Sequence, residues 1–149
     1  MNNIIKYIFR LLTLFLYGGA IYMMIEIIYR GYTHWTMGIL GGLCFISIGE
    51  INEFIDEDMH VLLQAFIGAI IITALEFITG IIVNIKLGWN IWDYSNMPFN
   101  VMGQICLPFF FVWLFLGIIA IILDDFLRYV LFDENMPRYR FKINKRSHK

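Results

Sequence analysis

The sequence predicts an all-α membrane protein, a bundle of four transmembrane helices with a compact aromatic loop between the third and fourth helices. Of its 149 residues, 60% are hydrophobic and only 15% are charged, whereas a soluble domain is typically about 45–50% apolar and about 25% charged. Four stretches each reach the length of about 20 mostly apolar residues that a membrane-spanning helix needs. The segment between the last two stretches is rich in Trp and Tyr, which favour the membrane–water interface.

The four predicted spans are separated by short polar segments. They cover approximately residues 7–29, 35–55, 61–84 and 101–123. With their connections they are expected to form a single bundle over residues 1–132, followed by a basic tail over residues 133–149. The lipid bilayer is therefore the first partner that the sequence predicts.

The basic residues predict the orientation of the bundle. Six of the eleven Lys and Arg residues lie in the last twelve positions, 138–149. Cytoplasmic segments of membrane proteins are enriched in Lys and Arg, so we expect the tail to be cytoplasmic. Four spans then place the N-terminus, with Lys6 and Arg10, on the same side of the cell membrane. A basic tail of this kind is suited to an anionic membrane surface, and we expect no nucleic-acid partner.

The third span carries the most informative polar residues. Thr73, Glu76, Gly80 and Asn84 recur at spacings of three and four and therefore share one helix face. An ionised carboxylate at the bilayer centre costs about 2.5–3.5 kcal/mol, so we expect Glu76 to face the bundle interior. There it is either a functional group or a neutral acid whose hydrogen bonds lock the helices together.

Polar residues of the following loop and span are expected to converge on the same place. Asn100 and Gln104 would lie one turn apart on the fourth helix, with Pro98 in its first turn and Pro108 kinking it further along. Spans three and four flank the loop, so their adjoining halves should be neighbours. The sequence therefore predicts an outward-facing polar pocket formed by Glu76, Asn84, Trp92, Asp93, Tyr94, Asn100 and Gln104.

A secondary polar cluster is predicted near the inner end of the second span. It consists of Glu50, Asn52 and Glu53. These residues either mark the cytoplasmic interface or form the inner mouth of a cavity. Two further pairs have the four-residue spacing of helical ion pairs, and we expect both at membrane interfaces: Glu26 with Arg30, and Asp124 with Arg128.

Motifs for common catalytic chemistries are absent from the sequence. It has no phosphate-binding GxxxxGK[ST] motif, no GxSxG and no HExxH. The two cysteines, Cys44 and Cys106, lie in apolar sequence without the paired spacing of a zinc site. We therefore expect neither a metal nor a cofactor.

Several segments carry a resemblance to known proteins. They are Glu76-Phe77-Ile78-Thr79-Gly80, Asn84, Trp92-Asp93-Tyr94-Ser95, Pro98, Asn100 and Gly103-Gln104-Ile105-Cys106. In these segments the chain resembles a family of small bacterial multi-pass membrane proteins labelled ABC-transporter permease, type IV or CmpB-type. The resemblance extends from about Arg30 to Tyr129. It implies a transport role but transfers no substrate and no catalytic residue.

These observations favour a non-enzymatic function, either a permease-like transport component or a bundle that binds a small solute. Four helices are few for a complete transporter, so a homo-oligomer or a separate ATPase subunit is an expected partner. Two alternatives stay open. One is an intramembrane enzyme that acts on a lipid or lipid-linked substrate with Glu76 or Asp93 as acid or base. The other is a structural or regulatory subunit whose polar residues only lock the bundle.

Overall fold

The computed structural model describes residues 2–51 and 60–136, and these ranges form an all-helical bundle as predicted. Its elements are α1 (Asn3–Arg30), α2 (Trp35–Gly49), α3 (Val61–Gly80) and α4 (Leu107–Phe132), with a π-helical turn (Ile81–Lys86) that continues α3. In the described ranges α1, α4 and α3 with its extension are long and apolar enough to cross a membrane, and α2 is a shorter apolar helix.

The fourth helix differs from its prediction. It begins at Leu107 rather than near residue 101, and it continues to Phe132. Pro108 lies in its first turn, where the missing N–H of proline is not needed, so the expected kink at this residue is wrong. Pro98 instead belongs to a turn of the loop, because Phe99 has a φ of 52° that a right-handed helix does not accept.

The second helix can be compared with its prediction only in part. α2 starts at Trp35, as expected, and ends at Gly49. The predicted continuation to residue 55 falls largely outside the described residues, as do Asn52 and Glu53 of the secondary cluster. The basic tail beyond residue 136 also lies outside them.

Glycines bring α1 and α2 into close contact. A Cβ atom added to Gly19 would lie 2.4 Å from the carbonyl oxygen of Gly38, so only a glycine leaves room for that oxygen. α3 packs against α4 and α2, whereas α1 makes few contacts with α4. A groove therefore remains between α1 and α4.

Contacts between distant residues identify the two ends of the bundle. At one end the Arg30 guanidinium donates to the carbonyl oxygen of Ile91 at 2.9 Å, which places the α1–α2 connection beside the loop of residues 87–106. At the other end Arg10 of α1 forms an ion pair with Glu134, just after α4. We refer to these as the loop end and the terminal end.

The outer surfaces of the helices are apolar. Leu16 and Ile28 of α1 and Phe115 of α4 are among many large hydrophobic side chains that are exposed in the monomer. A soluble monomer rarely exposes apolar patches of this extent. A bilayer accommodates them, and the backbone groups of the helices are hydrogen-bonded internally as lipid requires.

Candidate functional site

Glu76 faces the interior of the bundle, as its position on α3 predicted. Its side chain is 2% exposed. The Tyr94 hydroxyl donates a hydrogen bond to Oε1 at 3.0 Å, and the Trp113 indole N–H donates to Oε2 at 2.9 Å. Both carboxylate oxygens therefore accept a hydrogen bond from an aromatic side chain, one from the loop and one from α4.

Four aromatic rings form a continuous series beside this carboxylate. Tyr94 stacks on Phe109 with ring centroids 4.6 Å apart. Phe109 and Trp113 lie one turn apart on α4, with centroids 6.0 Å apart. Trp113 in turn lies 6.0 Å from the ring of Tyr22 on α1. The series thus crosses the seam between α4 and α1.

The groove between α1 and α4 contains two adjoining cavities along these rings. One has a volume of about 110 Å³ and includes Glu76 in its wall. The other, towards the loop end, has a volume of about 230 Å³ and includes Glu26 and Arg30. Tyr22 and Trp113 line both cavities.

The rim of the groove is apolar. Ile25 of α1 and Val112 and Ile119 of α4 line the cavities and are also exposed on the outside of the bundle. The groove therefore opens on the same apolar outer surface of the helices.

Asn84 uses its carboxamide to hold the loop against α3. Its Oδ1 accepts a hydrogen bond from the backbone N–H of Ile91 at 2.7 Å. Its Nδ2 donates to the carbonyl oxygen of Trp92 at 3.0 Å and to Oε1 of Gln104 at 2.8 Å. The π-helical turn that carries Asn84 is a local widening of the helix of a kind found often at functional sites.

Gln104 completes the same arrangement from the far side of the loop. Its backbone carbonyl accepts from the Trp92 indole N–H at 3.0 Å, and its Nε2 donates to the carbonyl oxygen of Met102 at 2.9 Å. Gly80 makes room for it, since a Cβ there would lie 2.6 Å from Oε1 of Gln104. We call Asn84, Trp92 and Gln104 the loop core.

Asp93 and Asn100 lie at the outer edge of the loop. Asp93 is exposed, and its Oδ1 accepts hydrogen bonds from the backbone N–H and the hydroxyl of Ser95, which lower the pKa of the carboxyl below its ordinary value. Asn100 donates to the carbonyl oxygen of Met97 at 2.9 Å and accepts from the N–H of Gly103 at 3.1 Å. Both side chains shape the turns of the loop.

The seven residues predicted as one pocket thus occupy three places. Glu76 and Tyr94 adjoin the groove, the loop core holds Asn84, Gln104 and Trp92, of which Trp92 also lines the larger cavity, and Asp93 and Asn100 lie at the loop edge. Asn100 and Gln104 are not on a helix as expected, because positive φ angles at residues 102 and 103 turn the chain and Val101 pairs with Ile105. Sequence reasoning missed Trp113 and Phe109. Their four-residue spacing predicts a shared helix face, but it does not predict that this face meets Glu76.

The terminal end holds a separate cluster of charged side chains. Arg128 pairs with Asp124 at 2.6 Å and with Glu50 at 3.0 Å. The predicted pairing of Asp124 with Arg128 is confirmed, but the pair lies inside the protein, with the two residues 1% and 3% exposed. Arg128 also reaches Glu50 at the end of α2, so the cluster lies between α4 and α2. The pairing of Glu26 with Arg30 is likewise confirmed, at 2.8 Å.

A family model matches most of the chain, from residue 3 to residue 137, and the family is described as "Putative ABC-transporter type IV" (CmpB). The chain belongs to this CmpB family. The resemblance drawn from its loop and helix segments is thereby confirmed. Neither the curated proteins nor the solved structures gave a match to this CmpB-family chain.

Among residues 2–51 and 60–136, no group of three or more His, Cys, Asp or Glu side chains is arranged to hold a metal ion.

Proposed function

We propose that this CmpB-family chain is a permease-like component of an ABC transport system and binds its solute in the groove between α1 and α4. The main support for this proposal is the Glu76 carboxylate, which is buried in the wall of a cavity that opens on the outside of the bundle. A carboxylate at membrane depth is costly, and such groups mark substrate or ion pathways by default.

The helix packing supports the groove as the binding place. α1 is attached mainly to α2 and makes few contacts with α4, so the α1–α4 seam is loosely packed in the described part of the chain. Tyr22 of α1 and Trp113 of α4 face each other across it. A modest displacement of α1 would widen the cavities without breaking the contacts between α3 and α4.

A transporter of this kind needs further subunits. The sequence has no phosphate-binding motif for ATP, so a separate ATPase subunit would supply ATP hydrolysis. Four helices are also few for a complete pathway, which favours a second copy of the chain. We place the ATPase at the terminal end, with both termini in the cytoplasm and the loop end facing outward.

The test is purification of the tagged chain from its native membranes directly into lipid nanodiscs. We expect a second copy and a subunit that hydrolyses ATP in fixed proportion. In the reconstituted complex, Glu76→Gln should leave assembly intact and remove the stimulation of ATP hydrolysis by solute.

The matched control is Glu134→Gln, which changes a carboxylate at the terminal end, away from the groove. It should retain the solute response. A chain that purifies as a lone monomer, with no ATP-hydrolysing partner, would contradict the proposal.

A further inference from the structure

The geometry points to an amphipathic organic cation as the ligand of the groove, that is, an ammonium or comparable positive group on a small apolar body. This inference rests on the groove being the solute site of the proposed function. It adds the charge and the chemical class of the solute.

The first support is an unbalanced carboxylate. Both oxygens of Glu76 accept hydrogen bonds from neutral donors, Tyr94 and Trp113. Arg30 is the one basic residue in the described lining of the groove. It forms an ion pair with Glu26 at 2.8 Å and donates a hydrogen bond to the carbonyl oxygen of Ile91. With both acids ionised, this lining carries one more negative charge than positive. A bound cation would neutralise this excess negative charge.

The second support is the aromatic character of the larger cavity. Six aromatic side chains line it: Tyr22, Tyr29, Trp92, Tyr94, Phe109 and Trp113. The faces of such rings attract cations electrostatically, and clusters of them are a recurrent means of binding quaternary ammonium groups. Trp113 also borders the cavity that contains Glu76, so a cation beside the carboxylate would lie within reach of rings.

The groove is unsuited to other solute classes. An anion would meet the Glu76 carboxylate, whereas the Arg30 guanidinium is already paired with Glu26. A sugar or other polyhydroxylated solute would need many hydrogen-bonding partners, whereas the walls are built largely from apolar groups such as Ile21, Leu116 and Ala120. Cavities of a few hundred Å³ in total hold small organic molecules. An apolar body with one positive group satisfies all three conditions.

Glu76→Gln is a conservative probe of this site. The glutamine Oε1 can accept from Trp113, and its Nε2 can donate to the hydroxyl oxygen of Tyr94, so both hydrogen bonds have a replacement. The variant therefore removes the charge while preserving the local contacts.

The experiment is equilibrium dialysis of the purified chain in phosphatidylcholine nanodiscs, with protein-free nanodiscs correcting for partition into lipid. The probes are benzyltrimethylammonium, its uncharged carbon isostere neopentylbenzene, and benzenesulfonate. We expect the wild type to bind the cation saturably. The affinity of Glu76→Gln for the cation should be lower by about tenfold or more. The affinity for neopentylbenzene should be unchanged in that variant, and Glu134→Gln should bind the cation as the wild type does.

A second pair of variants tests the rings independently. Tyr22→Leu should weaken binding of the cation but not of neopentylbenzene, whereas Tyr22→Phe should bind both as the wild type does. Equal binding of the cation and its neutral isostere, or cation binding that survives Glu76→Gln, would overturn the inference.

Failure of this inference is distinguishable from failure of the proposed function. Charge-dependent binding in a chain without an ATPase partner would reject the transporter role and leave the cation site standing. An assembled, ATP-hydrolysing complex whose Glu76→Gln variant binds the cation normally would reject the cation site alone.

Discussion

The Arg128 cluster at the terminal end and the loop core at the loop end stabilise buried polar side chains in different ways. At the terminal end, Arg128 lies between the carboxylates of Asp124 and Glu50, and the cluster depends on opposite charges. At the loop end, the carboxamides of Asn84 and Gln104 bind each other and the backbone of the loop without a formal charge. The first arrangement ties helices together, whereas the second holds a loop to the helix that precedes it. Substitutions at the two ends should therefore differ in how much they lower the free energy of unfolding and in how far through the bundle their effects extend.

The largest effect is expected from Arg128→Met. It leaves Asp124, which is 1% exposed, without its guanidinium, and removing one partner of a buried ion pair typically costs about 3–5 kcal/mol. The free energy of unfolding, measured by denaturant titration in mixed micelles, should fall by that amount, and the loss should extend to α2 through Glu50.

Arg10→Met is the matched control for that comparison. It breaks the pair between Arg10 and Glu134. These two side chains are 17% and 29% exposed, and ion pairs in contact with water typically contribute about 0–1 kcal/mol. If both arginine variants lowered stability equally, burial would not be what distinguishes the two pairs.

Asn84→Ala should have an intermediate effect confined to the loop end. It leaves the N–H of Ile91 and the carbonyl oxygen of Trp92 without their side-chain partner, and each buried unsatisfied group costs about 1–3 kcal/mol. Hydrogen exchange should become faster for amides of residues 87–106 and stay unchanged in the first half of α3. Asn100→Ala, at the loop edge, should change exchange less. Slower folding or faster exchange throughout the bundle would show that the loop core supports more than its loop.

The smallest effect concerns the exposed edge of the loop. Hydrogen bonds from Ser95 lower the pKa of Asp93 in the folded protein relative to its ordinary value of about 3.9. A depressed folded pKa gives a contribution to stability that is present above the unfolded pKa and lost as pH falls through the folded pKa. We expect the carboxyl ¹³C shift of Asp93 to titrate below that of the same residue in an unstructured peptide. Ser95→Ala should move the midpoint upward, and an unchanged midpoint would contradict this explanation.

The helix content and the inward face of α3 could be predicted from sequence because both follow from periodicity. Glu76, four residues before Gly80 and eight before Asn84, falls on the buried stripe wherever the helix is placed. The start of α4 could not be predicted in this way. The segment from Val101 to Cys106 is mostly apolar and continuous with the run that follows, so its sequence does not exclude a membrane helix, but in the structure residues 102 and 103 have positive φ angles and turn the chain.

The hydrogen-bond partners of Glu76 could also not be predicted from the sequence. Trp113 lies in an apolar run of α4 in which several aromatic residues occupy different faces. Which of them meets the carboxylate depends on the rotation of α4 against α3, and that rotation is set by packing. Tyr94 was expected near Glu76, but its hydrogen bond depends on how the loop folds back from Gly103, whose carbonyl oxygen accepts from the Tyr94 N–H at 2.7 Å.

The π-helical turn at Ile81–Lys86 constrains the length of the chain at this point. Its hydrogen bonds span five residues, as from the N–H of Leu87 to the carbonyl oxygen of Ile82 at 3.0 Å, where an α-helix would span four. Deleting one residue here would close the wide turn into a regular α-helical turn and change which side chains of the turn face the loop, so that Asn84 would no longer lie opposite Gln104. Insertions and deletions among related chains are therefore expected to avoid this turn and to accumulate in connections such as residues 31–34, which makes residues 81–86 a fixed reference for aligning the family.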